Sequence, residues 1–135
     1  MGRSLLILLD THVVIWLVSG DPRLSKRARQ SIDEARQGVG GLAISDFTLY
    51  EITLASRKKR IDVHISVESF LFELEQRFVI LPINREVCMR TLSFPSNYPR
   101  DPADRIIGAT ALAHGLTLIT ADQSIRNSGV VPAIW

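Results

Sequence analysis

The chain has 135 residues, of which 46% are apolar, with a formal net charge of +2 and a pI of about 9.0. The length fits one domain spanning residues 1–135, and the apolar content excludes disorder by composition. The single cysteine, Cys88, excludes an internal disulfide and fits a reducing compartment.

Arg3 and the apolar residues after it look like the start of a signal peptide, but Asp10 and His12 interrupt the stretch. No apolar run approaches the roughly 18–20 residues of a membrane span. The expected location is the cytoplasm.

Strand and helix signals alternate along the chain. Leu5 to Leu9 is a short continuous apolar run, as in a buried parallel strand. Val13 to Val18 continues as a short helix ending near Gly20, and Asp21-Pro22 makes a turn. Ser25 caps a polar helix to about Gln37, which Gly38, Gly40 and Gly41 end. Leu42-Ala43-Ile44 is a second strand. Ser45 caps a helix through about Lys59, with Asp46 in its first turn, where the helix dipole favours an acid.

Ser66 caps the next helix, to about Arg77, and Phe78 to Leu81 is a strand stopped by Pro82. Asn84 opens a helix to about Leu92, and Phe94 to Arg100 is a loop with two prolines. Asp101-Pro102-Ala103-Asp104 opens an apolar helix ending at Gly115, with Asp101 as N-cap and proline at the first helical position. Leu116 to Thr120 is a strand, Asp122 to Asn127 a short helix and Val130 to Ile134 a last strand. Such alternation predicts an α/β fold with a mostly parallel sheet covered on both faces, and sites in such folds lie at the carboxyl ends of the strands.

Four carboxylates stand out against this pattern: Asp10, Glu51, Asp104 and Asp122. Asp10 and Asp122 each follow an apolar strand, where each is open to two readings, a helix N-cap or a site residue. What links them is delivery to the same sheet edge. Glu51 falls within an apolar stripe of Phe47, Tyr50, Leu54 and Ala55, at −4, −1, +3 and +4. Asp104 opens the face continued by Ile107, Gly108 and Ala111, where the small residues predict a close approach of the helix to the sheet.

Acids facing a core are costly unless paired or holding a cation. Two unit charges 4 Å apart repel by ~4 kcal/mol at an effective dielectric of 20. The four either carry raised pKa values or surround a hard divalent ion. Oxygen ligands without a His or Cys cluster favour Mg²⁺ or Mn²⁺ over Zn²⁺. The implied chemistry is metal-activated water attacking a phosphodiester.

These residues resemble a known family. Leu8-Leu9-Asp10-Thr11-His12, Leu49-Tyr50-Glu51-Ile52, Asp101-Pro102-Ala103-Asp104-Arg105 and Leu118-Ile119-Thr120-Ala121-Asp122 are similar to the four acidic motifs of PIN-domain ribonucleases. More narrowly they resemble the VapC toxins of VapBC toxin–antitoxin modules, from about Leu5 to Trp135. The resemblance implies a three-layer PIN-like fold, and an endoribonuclease whose acidic quartet, Asp10, Glu51, Asp104 and Asp122, is catalytic and holds Mg²⁺ or Mn²⁺. It makes Asp10 and Asp104 the principal ligands and gives support roles to Thr120 and Thr11. Asp101 is either the helix cap alone or an outer carboxylate. The implied partners are an RNA substrate, a second copy of the chain in a homodimer and a VapB-like antitoxin, through which operator DNA would be bound.

Arg100 and Arg105 flank the third motif, and Arg57 and Lys58 open the basic run Arg57-Lys58-Lys59-Arg60 at a helix end. Each is a candidate RNA contact or an ordinary solvated charge. His12, His64 and His114 lack metal-ligand spacing, and Trp16 reads as a core or dimer contact in preference to a base-stacking platform. Two other classes compete with the ribonuclease: a non-catalytic PIN-like module that binds nucleic acid or protein, and a phosphoacceptor receiver. The receiver lacks an acidic pair after the first strand and a lysine after a late one, and a D-x-D phosphatase fails because His12 takes the second acid position.

Overall fold

The computed structural model describes residues 6–38, 40–58 and 65–135. Arg3, Leu5, Lys59, Arg60 and His64 lie outside them. The elements run β1 (Ile7–Leu9), α1 (Thr11–Ser19), α2 (Lys26–Gln37), β2 (Leu42–Ser45), α3 (Asp46–Arg57), α4 (Val67–Arg77), β3 (Val79–Leu81), α5 (Arg85–Arg90), a 3₁₀ turn (Thr91–Ser93), α6 (Pro102–His114), β4 (Thr117–Ile119), α7 (Gln123–Ser128) and β5 (Ala133–Ile134).

The five strands form one sheet in the order β3-β2-β1-β4-β5, and every pairing is parallel. β1 is central, pairing Leu8 with Ala43 on one side and with Leu118 on the other. Side chains alternate across a sheet with period two, and two cores follow from that rule. Leu9, Leu42, Ile44 and Ile119 point into one, packed by Val13, Val14, Leu24, Ala28, Ile32, Ile52 and Leu74 from helices and loops. Leu8, Ala43 and Leu118 point into the other, with Ile107, Ala111 and Ile125. Leu8, Leu9, Leu118 and Ile119 are fully buried. That is why these strands read as continuous apolar runs rather than alternating ones.

Helix starts follow the expected chemistry. Ser25 accepts from the Ala28 amide, Ser45 from Phe47, Ser66 from Ser69 and Asn84 from Val87. Gly20 closes α1 in the left-handed region, at φ 69°, where a Cβ would be strained. β3, β4 and β5 are shorter than predicted, while β2 runs one residue further, through Ser45. Phe78 closes α4 through its amide to the Leu74 carbonyl, and Pro132 precedes β5 with no N–H to offer a ladder. No described helix is long and apolar enough to cross a membrane.

Two expectations need correction. The face of α3 that is buried carries Thr48 and Ile52, while Tyr50 is 56% exposed. Glu51 therefore sits on the flank of the helix, beside α1, sharing a cavity wall with Leu54 and Ala55 of the predicted stripe but not with Tyr50. At Gly108 the close neighbour is not the sheet. A Cβ there would overlap the Tyr98 hydroxyl oxygen and fall 3.2 Å from Cζ of Phe94. Glycine makes room for the loop before α6, whose Tyr98 and Phe94 rings stack 4.0 Å apart at 5°.

Strand order reverses at β1, since the chain fills one side of it with β2 and β3 and the other with β4 and β5. The crevice beyond the carboxyl ends of β1 and β4 is where ligands bind in such sheets.

Candidate active site

Asp10 and Asp122 reach that crevice directly from β1 and β4. Asp10 is buried and precedes α1; its Oδ1 accepts from the Thr11 amide at 2.8 Å and its Oδ2 from the Thr120 hydroxyl at 2.7 Å. The Thr120 oxygen in turn accepts from the Asp122 amide at 3.0 Å. Asp122 Oδ1 accepts from the Ile125 amide, also at 3.0 Å. Both acids are thus true helix caps and also neighbours at one edge, so the two readings of the sequence hold together. Thr120, buried at the end of β4, joins them.

Glu51 is brought in by α3. Its Oε1 accepts from the Thr11 hydroxyl at 2.5 Å, and that hydroxyl lies 3.0 Å from the hydroxyl of Thr48, which is fully buried. With the Thr11 proton on an ionised Glu51, Thr48 is the donor to Thr11. The order Thr48, Thr11, Glu51 fixes one face of the carboxylate.

Asp104 arrives on the first turn of α6. Among the described residues its carboxylate has no hydrogen-bond or ion-pair partner. The Tyr98 hydroxyl donates to the Asp104 backbone carbonyl at 2.6 Å and so props the turn that carries it. Asp101 stands where a cap is expected, but its side chain makes no capping hydrogen bond and is exposed. Its backbone carbonyl accepts from the Arg105 amide instead.

The electrostatics follow from this crowding. Burial raises the Asp10 pKa, against the hydrogen bonds from Thr120 and Thr11, and the Asp122 charge adds to it. Burial also raises Glu51, with Asp10 and Asp101 contributing repulsion and Thr11 opposing. Asp104 is pushed up to about 7, first by burial and then by Asp10, Asp101, Asp122 and Glu51. The phenol of Tyr98 is raised as well, by burial and then by the charge of Asp104. Among the described residues, no lysine or arginine pairs with any of the four acids. Nor do three acidic, histidine or cysteine side chains form a preassembled coordination shell there. The acids share a field more than a contact.

The comparisons with known proteins decide the family. The sequence profile of the PIN domain matches residues 7–129. This chain belongs to the PIN-domain family. Ribonuclease VapC22 of Mycobacterium tuberculosis is 36% identical to it over 121 residues, 90% of each chain. A toxin–antitoxin complex from Klebsiella pneumoniae contains a chain of the same fold, with TM-score 0.69, 26% identity and 96% of each chain covered. VapBC-1 from nontypeable Haemophilus influenzae matches with TM-score 0.69 at 19% identity, again over 96% of each chain, which shows the fold.

Within this PIN domain the flanking cations divide. Arg105 is half-buried, donates Nη1 to the Thr91 carbonyl at 3.2 Å and lies 5.7 Å from the Phe94 ring. It ties α6 to the turn before it. Arg100 and Arg57 are exposed at the surface. Lys58, at the end of α3, lines a cavity that Thr11 and Glu51 also border. Asp46 lies in the first turn of α3 as expected and accepts from the Ile83 amide at 3.3 Å.

Sequence reasoning missed Thr48 and Tyr98. Thr48 had one visible signal, its position three residues before Glu51, which puts the two on one helical flank. Tyr98 had only its place between two prolines ahead of the third motif.

Proposed function

We propose that the protein is a Mg²⁺- or Mn²⁺-dependent endoribonuclease, the toxin of a toxin–antitoxin pair, with Asp10, Glu51, Asp104 and Asp122 as its acidic quartet. The observation that carries this reading is the convergence of these acids at one sheet edge with no cationic side chain among the described residues to balance them. The 36% identity to a protein named as a ribonuclease supports the reaction class.

The donor set fits the ion. It is made of carboxylate oxygens alone, which suits Mg²⁺ or Mn²⁺. Such ions keep several waters and bind through one or two carboxylates plus phosphate oxygens. Asp10 and Asp104 are the principal candidates to hold it. When bound, such an ion acts as a Lewis acid on phosphate oxygen and water. The chain's own residues do the rest. Thr120 and the Thr11 amide hold the Asp10 carboxylate in one orientation. Thr11 and Thr48 hold Glu51, and burial raises its pKa, which favours a role as proton acceptor from an attacking water. The Tyr98 hydroxyl keeps the Asp104 turn in place.

A VapB-like antitoxin is the proposed partner, supported by the toxin–antitoxin complex that shares this fold at 26% identity. A homodimer is proposed on the family resemblance. A second reading, a PIN-like module that binds nucleic acid without cutting it, draws on the lack of a preformed three-donor shell among the described residues.

One experiment separates them. Antitoxin-free protein is incubated with a panel of tRNA, rRNA and mRNA fragments in Mg²⁺, Mn²⁺ or EDTA. The expected result is endonucleolytic cleavage with either ion, none in EDTA, and a loss on the order of 10³-fold for Asp104→Asn. RNA binding without cleavage under all these conditions, unaltered by Asp104→Asn, supports the binding module instead.

A further inference from the structure

A cavity of about 340 Å³ opens between α1 and α3, within the range of ~300–1,000 Å³ typical of small-ligand sites. Thr11 and Glu51, which belong to the acidic site, are among its lining residues. Ile15 and Leu54 give an apolar lining, and Trp16, His12, Arg23 and Lys58 surround it. Among the described lining residues Glu51 is the one acid, against the two permanent cations Arg23 and Lys58.

Arg23 is unusual for an exposed arginine. Its Nε and Nη2 donate to Oδ1 and Oδ2 of Asp21 at 3.1 and 2.8 Å, and its backbone amide donates to Oδ1 at 2.8 Å. Its guanidinium stands 4.9 Å from the Trp16 ring centroid. A surface pair of this kind adds little to stability. It does hold a planar cation in one place, so little side-chain freedom is left to lose when a ligand arrives. Trp16 is half-buried, braced by Trp135 at 5.7 Å and tilted against His12 at 6.0 Å. Rigid aromatic and guanidinium planes beside an apolar wall are what an unstacked nucleobase needs.

We propose that this cavity is a nucleotide subsite, where Trp16 and Arg23 receive an unstacked base of the RNA next to the scissile phosphate and Lys58 meets a flanking phosphate. The proposal rests on the ribonuclease reading and deepens it. It makes the α1–α3 cleft a source of base preference, which the quartet lacks because carboxylates and their ion read only phosphate. The alternative occupant, an apolar segment of a protein partner, is separated by the test.

Full-length protein is given a pool of short RNAs of randomised sequence, and the cut sites are sequenced. KM and kcat are then measured on a preferred RNA. Arg23→Gln is expected to raise KM roughly tenfold, in line with the loss of one stacking partner, with the loss falling on KM rather than kcat. It also flattens base preference on one side of the cut. Trp16→Ala does both more strongly, and Trp16→Phe keeps the preference. Because Trp16 packs on Trp135, melting curves check its variants. Arg23→Gln, at an exposed position, decides the matter if Trp16→Ala does not fold. Parent-like KM and base preference in Arg23→Gln and in folded Trp16→Ala overturn the subsite. Loss of antitoxin-peptide binding in the same variants, with RNA cleavage unchanged, assigns the cavity to a protein partner and likewise overturns it. If the parent cuts no RNA, the ribonuclease reading fails separately, and fluorescence anisotropy of the same pool in EDTA tests the subsite. Weaker binding by Arg23→Gln then supports it, and equal binding overturns it.

Discussion

The four acids come from two kinds of place, and the two are prepared differently. On the strand side, Asp10 and Asp122 cap helices, and Thr120 clamps one and receives the amide of the other. On the helix side, Glu51 has one hydroxyl donor and Asp104 has none among the described residues. The strand side is oriented by hydrogen bonds that folding itself requires. On the helix side a hydroxyl holds Glu51 and backbone placement alone holds Asp104, and no cation among the described residues compensates their charge. Asp104, pushed up to about 7, is where that shows most. One half of the site is thus oriented by hydrogen bonds and the other has fewer, while among the described residues neither half is paired with a cation.

Removing the props on either side tests this contrast. The largest effect is expected from Gly108→Ala, whose new Cβ would overlap the Tyr98 hydroxyl oxygen. Displacing Tyr98 loosens the turn carrying Asp104 and costs about 3 kcal/mol by overpacking, read as a lower urea midpoint at unchanged slope. Next is Thr120→Val on the strand side. It leaves the buried Asp10 Oδ2 without its donor and the Asp122 amide without its acceptor, a loss of about 2 kcal/mol in chemical denaturation. Stability unchanged within error in this variant would mean that the strand side is no better prepared than the helix side.

A smaller effect of opposite sign tests the uncompensated charge. The folded pKa of Asp104, about 7, lies above its ordinary 3.8, so the folded state holds the proton more tightly than the unfolded chain. By linkage its contribution is full below about pH 4 and falls as pH rises through 7. In EDTA, Asp104→Asn should therefore stabilise the protein by about 1 kcal/mol at pH 8, discounted because the group is half exposed. The gain should shrink toward zero near pH 4 in thermal melts. The smallest effect belongs to Thr48→Val, about 0.5–1 kcal/mol from one buried hydroxyl, with Glu51 freed to adopt other rotamers.

The strand side was legible in the sequence because short-range pattern creates it. An apolar run ending in an acid places that acid at a sheet edge whatever else the fold does, and so Asp10 and Asp122 could be located from that pattern alone. Asp104 was legible through Ile107, Gly108 and Ala111, all buried as expected. Glu51 was found for a partly mistaken reason. Which flank of α3 is buried depends on α1 and the sheet, and tertiary packing chose Thr48 and Ile52 over Tyr50. Asp101 lost its capping hydrogen bond to a side-chain direction that propensity does not encode. Thr48 and Tyr98 were hidden because their partners lie across the fold or in an irregular loop. The Thr11–Thr48 contact joins residues 37 positions apart, which no local period reports.

The Thr120 clamp has one more consequence. It joins residues 110 positions apart, and it exists only when β4 lies in one register beside β1, Leu9 against Ile119. A slip of one residue would turn the threonine to the opposite face of the sheet. A chain with its helices formed but its central strands misaligned would carry all four acids and still lack an oriented Asp10. Competence at this edge is thus a proofreading signal for the whole topology, given only by molecules whose first and fourth strands have found each other correctly.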